Sequence, residues 1–244
     1  MRRILLTIEY DGSEYFGFQL QNDKNTIQSE IEKALFLLCG NEIRITGGSR
    51  TDRGVHAYGQ TAHFDTDFNI KPAKFREALN RFLPSDIRII ESREVDAGFH
   101  SRFDARRKTY RYQMYIADVN RPLDDKYRLR LPHNINVEAM IAACNDFTGT
   151  HDFKAFSNTN DWAKTTVRTI HNAKLITDGR LLTFEVCGNA FLYNMVRIMC
   201  GTLVYIGRGT LPPDTVKTAL ETKDRKKAGK TLDAKALFLV NIEY

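Results

Sequence analysis

The sequence has little cysteine, no long apolar run and no visible repeat. Its 244 residues include four scattered cysteines without a Cys-x-x-Cys pair, namely Cys39, Cys144, Cys187 and Cys200. Because each lies beside apolar residues, we interpret them as reduced core thiols and expect neither disulfides nor a metal site. No apolar run reaches transmembrane length, and Glu9 and Asp11 come too early for a signal peptide. A cytoplasmic protein without membrane association is predicted.

The composition is that of a globular protein with a basic balance. Apolar residues make up 42% of the chain and aromatic residues 11%, which is enough to fill a core. The formal net charge is +6 and the pI is about 9.1. This charge favours a polyanionic partner only modestly, since many proteins are mildly basic without binding nucleic acid.

Strand and helix periodicities alternate along the first half of the chain. Residues from Ile4 to Tyr10 predict a first strand. Asn25 with Gln28 forms a capping-box pattern ahead of a helix. A second helix is predicted between Pro72 and Pro84, and Ile87 to Val95 continues as a strand. With strands before and after residues 47–57, the order strand, helix, strand, strand, helix, strand is that of a ferredoxin-like α+β fold.

A basic stretch from Arg102 to Lys108 separates the two halves, and we place the domain boundary there, giving domains 1–105 and 106–244. The second half has elements of a similar kind. These are a strand through Tyr110, a helix around Val137 to Phe147, a hairpin turn at Asp178-Gly179, a helix from Phe191 to Tyr205 and a closing strand from Leu237 to Ile242.

The most informative stretch runs from Gly47 to Ala57, where Asp52 stands between Arg50 and Arg53 in a segment with glycines on both sides. Opposite charges within a few ångströms keep a carboxylate ionised. Because strands are predicted before and after it, Asp52 should lie near strand ends, where functional residues concentrate. An Arg-Thr-Asp tripeptide by itself would more often be a solvated turn.

The longer string changes that interpretation. Gly48-Ser49-Arg50-Thr51-Asp52-Arg53-Gly54-Val55-His56-Ala57, followed by Gly59-Gln60 and His63-Phe64, resembles the catalytic motif of the tRNA pseudouridine synthase A family. Ser49 and Arg53 replace the Gly and Ala usual in bacterial members, and Phe18 replaces a usual Trp. Further motifs match in order along almost the whole chain, among them Tyr10-Asp11-Gly12-Ser13, Phe99-His100-Ser101-Arg102-Phe103, Lys108-Thr109-Tyr110-Arg111-Tyr112 and Met195-Val196-Arg197.

The resemblance implies a fold and an assembly. Two ferredoxin-like halves would share an extended, mainly antiparallel sheet, with helices on one face and a catalytic cleft between the halves. The first half would carry the catalytic Asp and the second would complete the cleft. The family acts as a homodimer on uridines 38, 39 and 40 of the tRNA anticodon stem-loop, without a cofactor.

The resemblance also implies roles for single residues. Asp52 would be the nucleophile, and Arg50 would help to flip the target base out of its stack and replace it. Tyr110 would stack on the base, and Arg197 would pair with Asp52 and keep it ionised. From the residues alone, Tyr110 would be a core aromatic of the sheet and Arg197 a surface arginine whose stem covers apolar surface.

Other chemistry-bearing residues receive no catalytic role. The histidines His56, His63, His100 and His151 are at spacings more typical of structural or RNA-backbone contacts than of a metal site or general base. The densest basic segment suits phosphates and unstacked bases, but a solvated linker is about as compatible with it; it comprises Arg102, Arg106, Arg107, Lys108 and Arg111.

The predicted function is that of an isomerase converting uridine to pseudouridine in tRNA. A non-catalytic RNA-binding protein is the main alternative, since ferredoxin-like sheets with exposed aromatics can bind RNA. A hydrolase with a carboxylate nucleophile would normally need a second carboxylate, and the motif contains none.

Overall fold

A computed structural model describes residues 1–158 and 164–244. The strands within these ranges are β1 (Arg2–Tyr10), β2 (Thr46–Gly47), β3 (His56–Thr66), β4 (Ile87–Val95), β5 (Arg107–Ile116), β6 (Leu129–Leu131), β7 (Gly149–Asp152), β8 (Val167–Asp178), β9 (Leu181–Gly188) and β10 (Leu237–Glu243). The α-helices are α1 (Ile27–Cys39), α2 (Lys74–Leu79), α3 (Pro122–Asp125), α4 (Val137–Cys144), α5 (Met195–Gly207) and α6 (Thr215–Thr222). The prediction of an α+β protein is confirmed.

The chain divides into two compact units. The first consists of Met1–Arg106 together with Phe238–Tyr244, and the second is Arg107–Leu237. In the first unit β1 lies between β4 and β3 and is antiparallel to both. The other edge of β3 pairs antiparallel with β2 and, near its start, parallel with β10. The predicted order of strands and helices, β1-α1-β2-β3-α2-β4, is therefore confirmed for this unit. The strand before the loop was predicted at residues 43–45 and instead comprises only Thr46–Gly47.

Helix α1 begins one residue away from the predicted capping box. Thr26, not Asn25, is the N-cap, and its hydroxyl oxygen accepts a hydrogen bond from the backbone nitrogen of Ser29 while Ser29 reciprocates. Gln28 instead accepts a hydrogen bond from the backbone nitrogen of Leu20, at 2.9 Å. The prediction was wrong because Thr26-x-x-Ser29 satisfies the same helix-end donors one position later, which frees Gln28 to fasten the preceding loop.

The second helix of this unit, α2, is shorter than predicted. It buries Phe75 and Leu79 and ends at Leu79, several residues before Pro84. The side chain of Asn80 then makes a pair of hydrogen bonds with the backbone of Ile89 on β4, at 2.9 and 2.8 Å. This pair resembles one rung of a β-ladder and joins the end of the helix to the sheet.

In the second unit, β9 lies between β5 and β8, and β7 pairs with the far edge of β8, all antiparallel. The predicted hairpin is confirmed, with Asp178 paired to Leu181 across Gly179 and Arg180. The predicted helix from Phe191 was wrong at its start, because Asn194 has a left-handed backbone (φ 60°) and α5 begins only at Met195. Residues 191–194 instead form a turn in which Leu192 is buried and Tyr193 is exposed.

Candidate active site

The loop that carries Asp52 connects β2 to β3 within the first unit. Asp52 is half-buried, whereas Arg50 and Arg53 are exposed. The backbone turns sharply here, since the nitrogen of Val55 donates to the carbonyl of Asp52 at 3.1 Å. The guanidinium of Arg53 lies 4.3 Å from the centre of the Phe16 ring, in a cation–π contact. Arg50 and Asp52 thus share one short loop, here called the catalytic loop (residues 48–55).

Gln60 on β3 fixes the first part of this loop through hydrogen bonds to the backbone. Its side chain is fully buried on β3 and binds the backbone of Ser49 twice, donating to the carbonyl at 2.7 Å and accepting from the nitrogen at 3.1 Å. On the other side of Arg50, the hydroxyl groups of Thr51 and Tyr10 are 2.7 Å apart. The neighbours of Arg50 on both sides are therefore anchored while its own side chain extends into solvent.

Gly12 of the Tyr10-Asp11-Gly12-Ser13 motif and the nearby Gly17 allow a second segment to pack directly against the catalytic loop. Gly17 has φ 94°, and a Cβ at this position would lie 2.6 Å from the carbonyl oxygen of Thr51. A Cβ at Gly12 would lie 2.0 Å from the carbonyl oxygen of Val55. Both distances are too short for any side chain, so the contact requires glycine at these positions. The backbone nitrogen of Phe18 completes the contact by donating to Thr51 at 3.1 Å.

The electrostatic surroundings of Arg50 include a second arginine. Partial desolvation lowers the pKa of the Arg50 guanidinium, and the positive charge of Arg102 lowers it further. Two like charges near each other raise the local positive potential, which an anion bound there would offset. This pair therefore favours a polyanionic ligand next to the catalytic loop.

The histidines of the first unit have structural roles. The Nδ1 atom of His56 is 3.0 Å from the backbone nitrogen of Gly12 and 3.0 Å from a carboxylate oxygen of Asp11. His63 is buried and hydrogen-bonded through Nδ1 to Ser101, and burial is the main cause that lowers its pKa to about 4. In the second unit, Nε2 of His151 lies 3.0 Å from the carbonyl of Thr148.

Tyr110 lies on β5 in the second unit. It is opposite Val186 on β9 and is buried, and its ring meets that of Phe191 edge to face, with the ring centres 5.0 Å apart and an angle of 76° between the planes. Such a pair holds the ring in one orientation.

Arg197 lies on α5 of the same unit and is half-buried. Its Nε donates to the carbonyl of Leu232 at 2.7 Å, and Nη1 donates to Oδ1 of Asn194 at 2.6 Å. The guanidinium is therefore held in place, unlike that of an ordinary surface arginine. The structure thus brings Arg50 and Asp52 together in one unit and places Tyr110 and Arg197 in the other.

Two features of the site are not predicted from the sequence: Gln60 clamps the catalytic loop, and Gly17 lies directly against it. The available signals were a polar residue within the predicted strand after the loop and a glycine next to Phe18. In the residues that the structure describes, no three His, Cys, Asp or Glu side chains are grouped so that they could hold a metal ion. Over the same residues, no helix is long and apolar enough to cross a bilayer.

Comparison with known proteins identifies the family. A protein family described as tRNA pseudouridine synthase matches residues 6–104 and 143–244 of the chain. The chain belongs to the tRNA pseudouridine synthase family. The reaction of this family is an isomerisation, so the sequence prediction of an isomerase is confirmed at the level of the family.

Curated relatives match over the whole length. The tRNA pseudouridine synthase A of Caldicellulosiruptor bescii is 45% identical, and that of Acetivibrio thermocellus is 44% identical, with all of this chain and all of each relative covered. The enzyme of Anoxybacillus flavithermus is 42% identical over all of this chain and 99% of its own length. Arg50, Asp52 and Arg197 fall inside the stretches that match the tRNA pseudouridine synthase family, whereas Tyr110 lies between them.

Proposed function

We propose that this protein converts uridine to pseudouridine at positions 38, 39 and 40 of the tRNA anticodon stem-loop, with Asp52 as the nucleophile. The observation that carries the proposal is a half-buried carboxylate beside Arg50 in a doubly anchored loop, in a chain that belongs to the tRNA pseudouridine synthase family. Positions 38–40 and the nucleophile come from the family resemblance of the motif.

The reaction requires no external oxidant, reductant or energy source. The bond between ribose C1′ and N1 of the base breaks, the uracil turns, and C1′ rejoins the base at C5. The proton on C5 is lost and N1 gains one, so that atoms and electrons balance. An ionised Asp52 can hold one fragment covalently during the turn, by attack either on the ribose or on the ring. No cofactor enters this scheme.

Arg50 is assigned the role of opening the stack. A target uridine in an RNA stem must leave the helix to reach a carboxylate, and the cost is lower if a side chain fills the vacated space. Arg50 suits this task because its side chain is exposed while the residues before and after it are fixed by Gln60 and Tyr10. Its planar guanidinium can stack on bases and bind phosphate.

Tyr110 and Arg197 are kept as substrate-site residues, as the family resemblance implies. Tyr110 is proposed to stack on the target base, and its edge-to-face contact with Phe191 supports a fixed ring plane. Arg197 is proposed to pair with Asp52 and keep it ionised, and the two hydrogen bonds that orient its guanidinium support this role. The proposal further includes a homodimer that acts in the cytoplasm.

The direct test uses an unmodified tRNA transcript labelled with tritium at C5 of uridine. The wild-type protein should release tritium and form pseudouridine only at positions 38–40. Asp52→Asn should reduce turnover below about a hundredth while tRNA binding stays within a few-fold, because the nucleophile is removed but little surface changes. Asp23→Asn is the matched control, since Asp23 is exposed and its left-handed backbone (φ 57°) suits asparagine.

Three results would contradict the proposal at different levels. Binding of tRNA without tritium release by the wild-type protein would indicate a non-catalytic RNA-binding protein. Product at other uridines would contradict positions 38–40. Turnover by Asp52→Asn above about a hundredth of wild type would remove the nucleophile assignment.

A further inference from the structure

A strongly exposed aromatic ring lies in the segment that follows β4. Phe103 is 75% exposed and belongs to the segment of residues 99–104, here called the 99–104 loop. Single exposed apolar residues are common on protein surfaces and need no explanation. Phe103 differs from such residues in how its surroundings hold it.

Hydrogen bonds around His100 fix the backbone on which Phe103 stands. The Nδ1 atom of His100 accepts from the backbone nitrogens of Arg102 and Phe103, at 3.2 and 3.3 Å. The carboxylate of Asp104 in turn accepts from the backbone nitrogen of His100 at 2.8 Å. The His100 ring also lies against that of Phe103, with centres 4.2 Å apart and planes 30° from parallel. One face of Phe103 is thus supported while most of the residue stays in solvent.

The 99–104 loop is fastened to the start of the catalytic loop. Ser101 is fully buried and donates through its hydroxyl to the carbonyl of Thr46 on β2, at 2.6 Å. Its own carbonyl accepts from the hydroxyl of Tyr244 at 2.8 Å, and its backbone nitrogen donates to His63 at 3.2 Å. Strand β2 leads directly into the loop that carries Arg50 and Asp52. Phe103 therefore has a fixed position relative to the catalytic loop.

A guanidinium group lies beside the exposed ring. The guanidinium of Arg102 lies 5.9 Å from the centre of the Phe103 ring, and Arg102 also acts electrostatically on Arg50. The nearby carboxylate of Asp104 is already engaged by the backbone of His100. A supported aromatic ring beside a guanidinium group is the combination that proteins use for the base and the phosphate of single-stranded RNA.

We propose that Phe103 is a stacking platform for an unstacked nucleobase of the bound tRNA other than the target uridine, with Arg102 contacting a neighbouring phosphate. This inference rests on the proposed function, because it takes the RNA that Asp52 acts on as the ligand. A base fits better than an apolar protein segment, since the Arg102 guanidinium lies beside the ring and a nucleotide brings a phosphate that it can bind. Pre-ordering by His100 lowers the entropy lost on binding.

The experiment compares Phe103→Ala with Phe103→Tyr and measures tRNA affinity and tritium release. Loss of a stacking ring should weaken tRNA binding by about 5- to 100-fold, whereas Phe103→Tyr should bind within about 2-fold of wild type. Phe82→Ala is the matched control in the same unit, because Phe82 is also exposed, at 44%, but follows α2. Its affinity should stay within about 2-fold of wild type.

A second variant reports on stacking directly. The tryptophan of Phe103→Trp should lose fluorescence on addition of tRNA, relative to wild type and to Phe82→Trp, because a stacked base quenches an indole. If Phe103→Ala folds poorly, the fluorescence of Phe103→Trp decides the question. Absence of quenching in Phe103→Trp, or wild-type affinity in Phe103→Ala, would overturn the proposal.

The controls separate this inference from the proposed function. If the wild-type protein forms no pseudouridine but Phe103→Ala still weakens tRNA binding, the proposed function fails and the platform stands. If the wild-type protein is active and Phe103→Ala binds and turns over tRNA normally, the platform fails and the proposed function stands.

Discussion

His63 shows how a residue with catalytic chemistry can serve structure alone. It is 6% exposed on β3, and its ring is hydrogen-bonded to Ser101 at 2.8 Å. Burial lowers its pKa most, the positive charges of Arg3 and His100 lower it further, and Asp65 and Asp104 raise it in part. With a pKa of about 4, His63 is neutral at physiological pH and holds the 99–104 loop as a hydrogen-bonding partner rather than as an acid or base.

This low pKa predicts a stability loss in mild acid. The folded protein binds the His63 proton only near pH 4, whereas the unfolded chain binds it near 6.5, so the unfolded state carries more protons between these values. The contribution of His63 is complete above the unfolded pKa and decreases as the pH falls toward the folded pKa. At about pH 5 the free energy of unfolding should be roughly 2 kcal/mol lower on this account than at about pH 7. Urea unfolding at the two pH values measures the difference.

His63→Gln should flatten this dependence, because glutamine keeps hydrogen-bonding atoms but does not titrate. His133→Gln is the control for the loss of an imidazole, since the His133 side chain is 62% exposed and its contact with Asp118, at 3.7 Å, lies at the surface, where such pairs contribute little to stability. Equal pH slopes for wild type and His63→Gln would contradict the structural account of His63.

At the level of elements, the catalytic loop depends on the segment packed against it. Gly17 lies so close to the carbonyl of Thr51 that a methyl group at this position must displace the loop. Gly40, which ends α1, also has a positive φ, of 78°, but has nothing within 4 Å of a Cβ. The two glycines therefore differ in their surroundings while sharing the same kind of backbone conformation.

We expect Gly40→Ala to cost roughly 1–2 kcal/mol of stability from backbone strain alone and to retain activity. Gly17→Ala should cost more than Gly40→Ala and should also reduce tritium release strongly, because Thr51 and Asp52 must shift together. Denaturant unfolding and single-turnover kinetics on both variants measure the two effects. Gly17→Ala with normal turnover would show that the position of the loop is less restricted than the packing indicates.

Periodicity in the sequence located the buried faces of these elements better than their ends. The strand from Ile87 to Val95 has the predicted bounds, since its alternation is set by its own side chains. The starts of α1 and α5 were misplaced because Thr26 competes with Asn25 as a cap and Asn194 adopts a left-handed backbone. Neither choice is visible in the hydrophobic pattern, because both depend on which backbone donors remain unsatisfied.

In the candidate site, too, local features could be predicted from the sequence and long-range contacts could not. Arg50 and Asp52 could be predicted because they stand two positions apart within a recognisable string. The clamp from Gln60 to Ser49 and the bond from His63 to Ser101 join residues that are 11 and 38 positions apart. Such pairings depend on strand register and on loop packing, which a single sequence does not specify.

For the molecule as a whole, the net charge of +6 predicts salt-sensitive binding of tRNA. The logarithm of the affinity should fall linearly with the logarithm of salt concentration, because each phosphate that is neutralised releases counterions. Arg102→Gln should make this slope less steep, by the amount that corresponds to the loss of roughly one phosphate contact. Filter binding or fluorescence anisotropy over a range of salt concentrations measures the slope.

Arg44→Gln provides the comparison for the salt experiment. Arg44 is exposed like Arg102, but it forms an ion pair with Glu32 at 2.7 Å, so its removal should leave the slope unchanged. A flat salt dependence of the wild-type protein would argue against RNA as the ligand.

The place of β10 in the first unit has a consequence for biosynthesis. Residues Phe238–Tyr244 pack with Met1–Arg106, and the hydroxyl of Tyr244 reaches both Thr61 on β3 and Ser101. The whole second unit comes between these partners in the chain. The ribosome must therefore synthesise the second unit before β10 can join the sheet of the first unit. The unit that carries Asp52 thus emerges first but is completed last. Its completion requires pairing between strands that are far apart in the chain, which is slow.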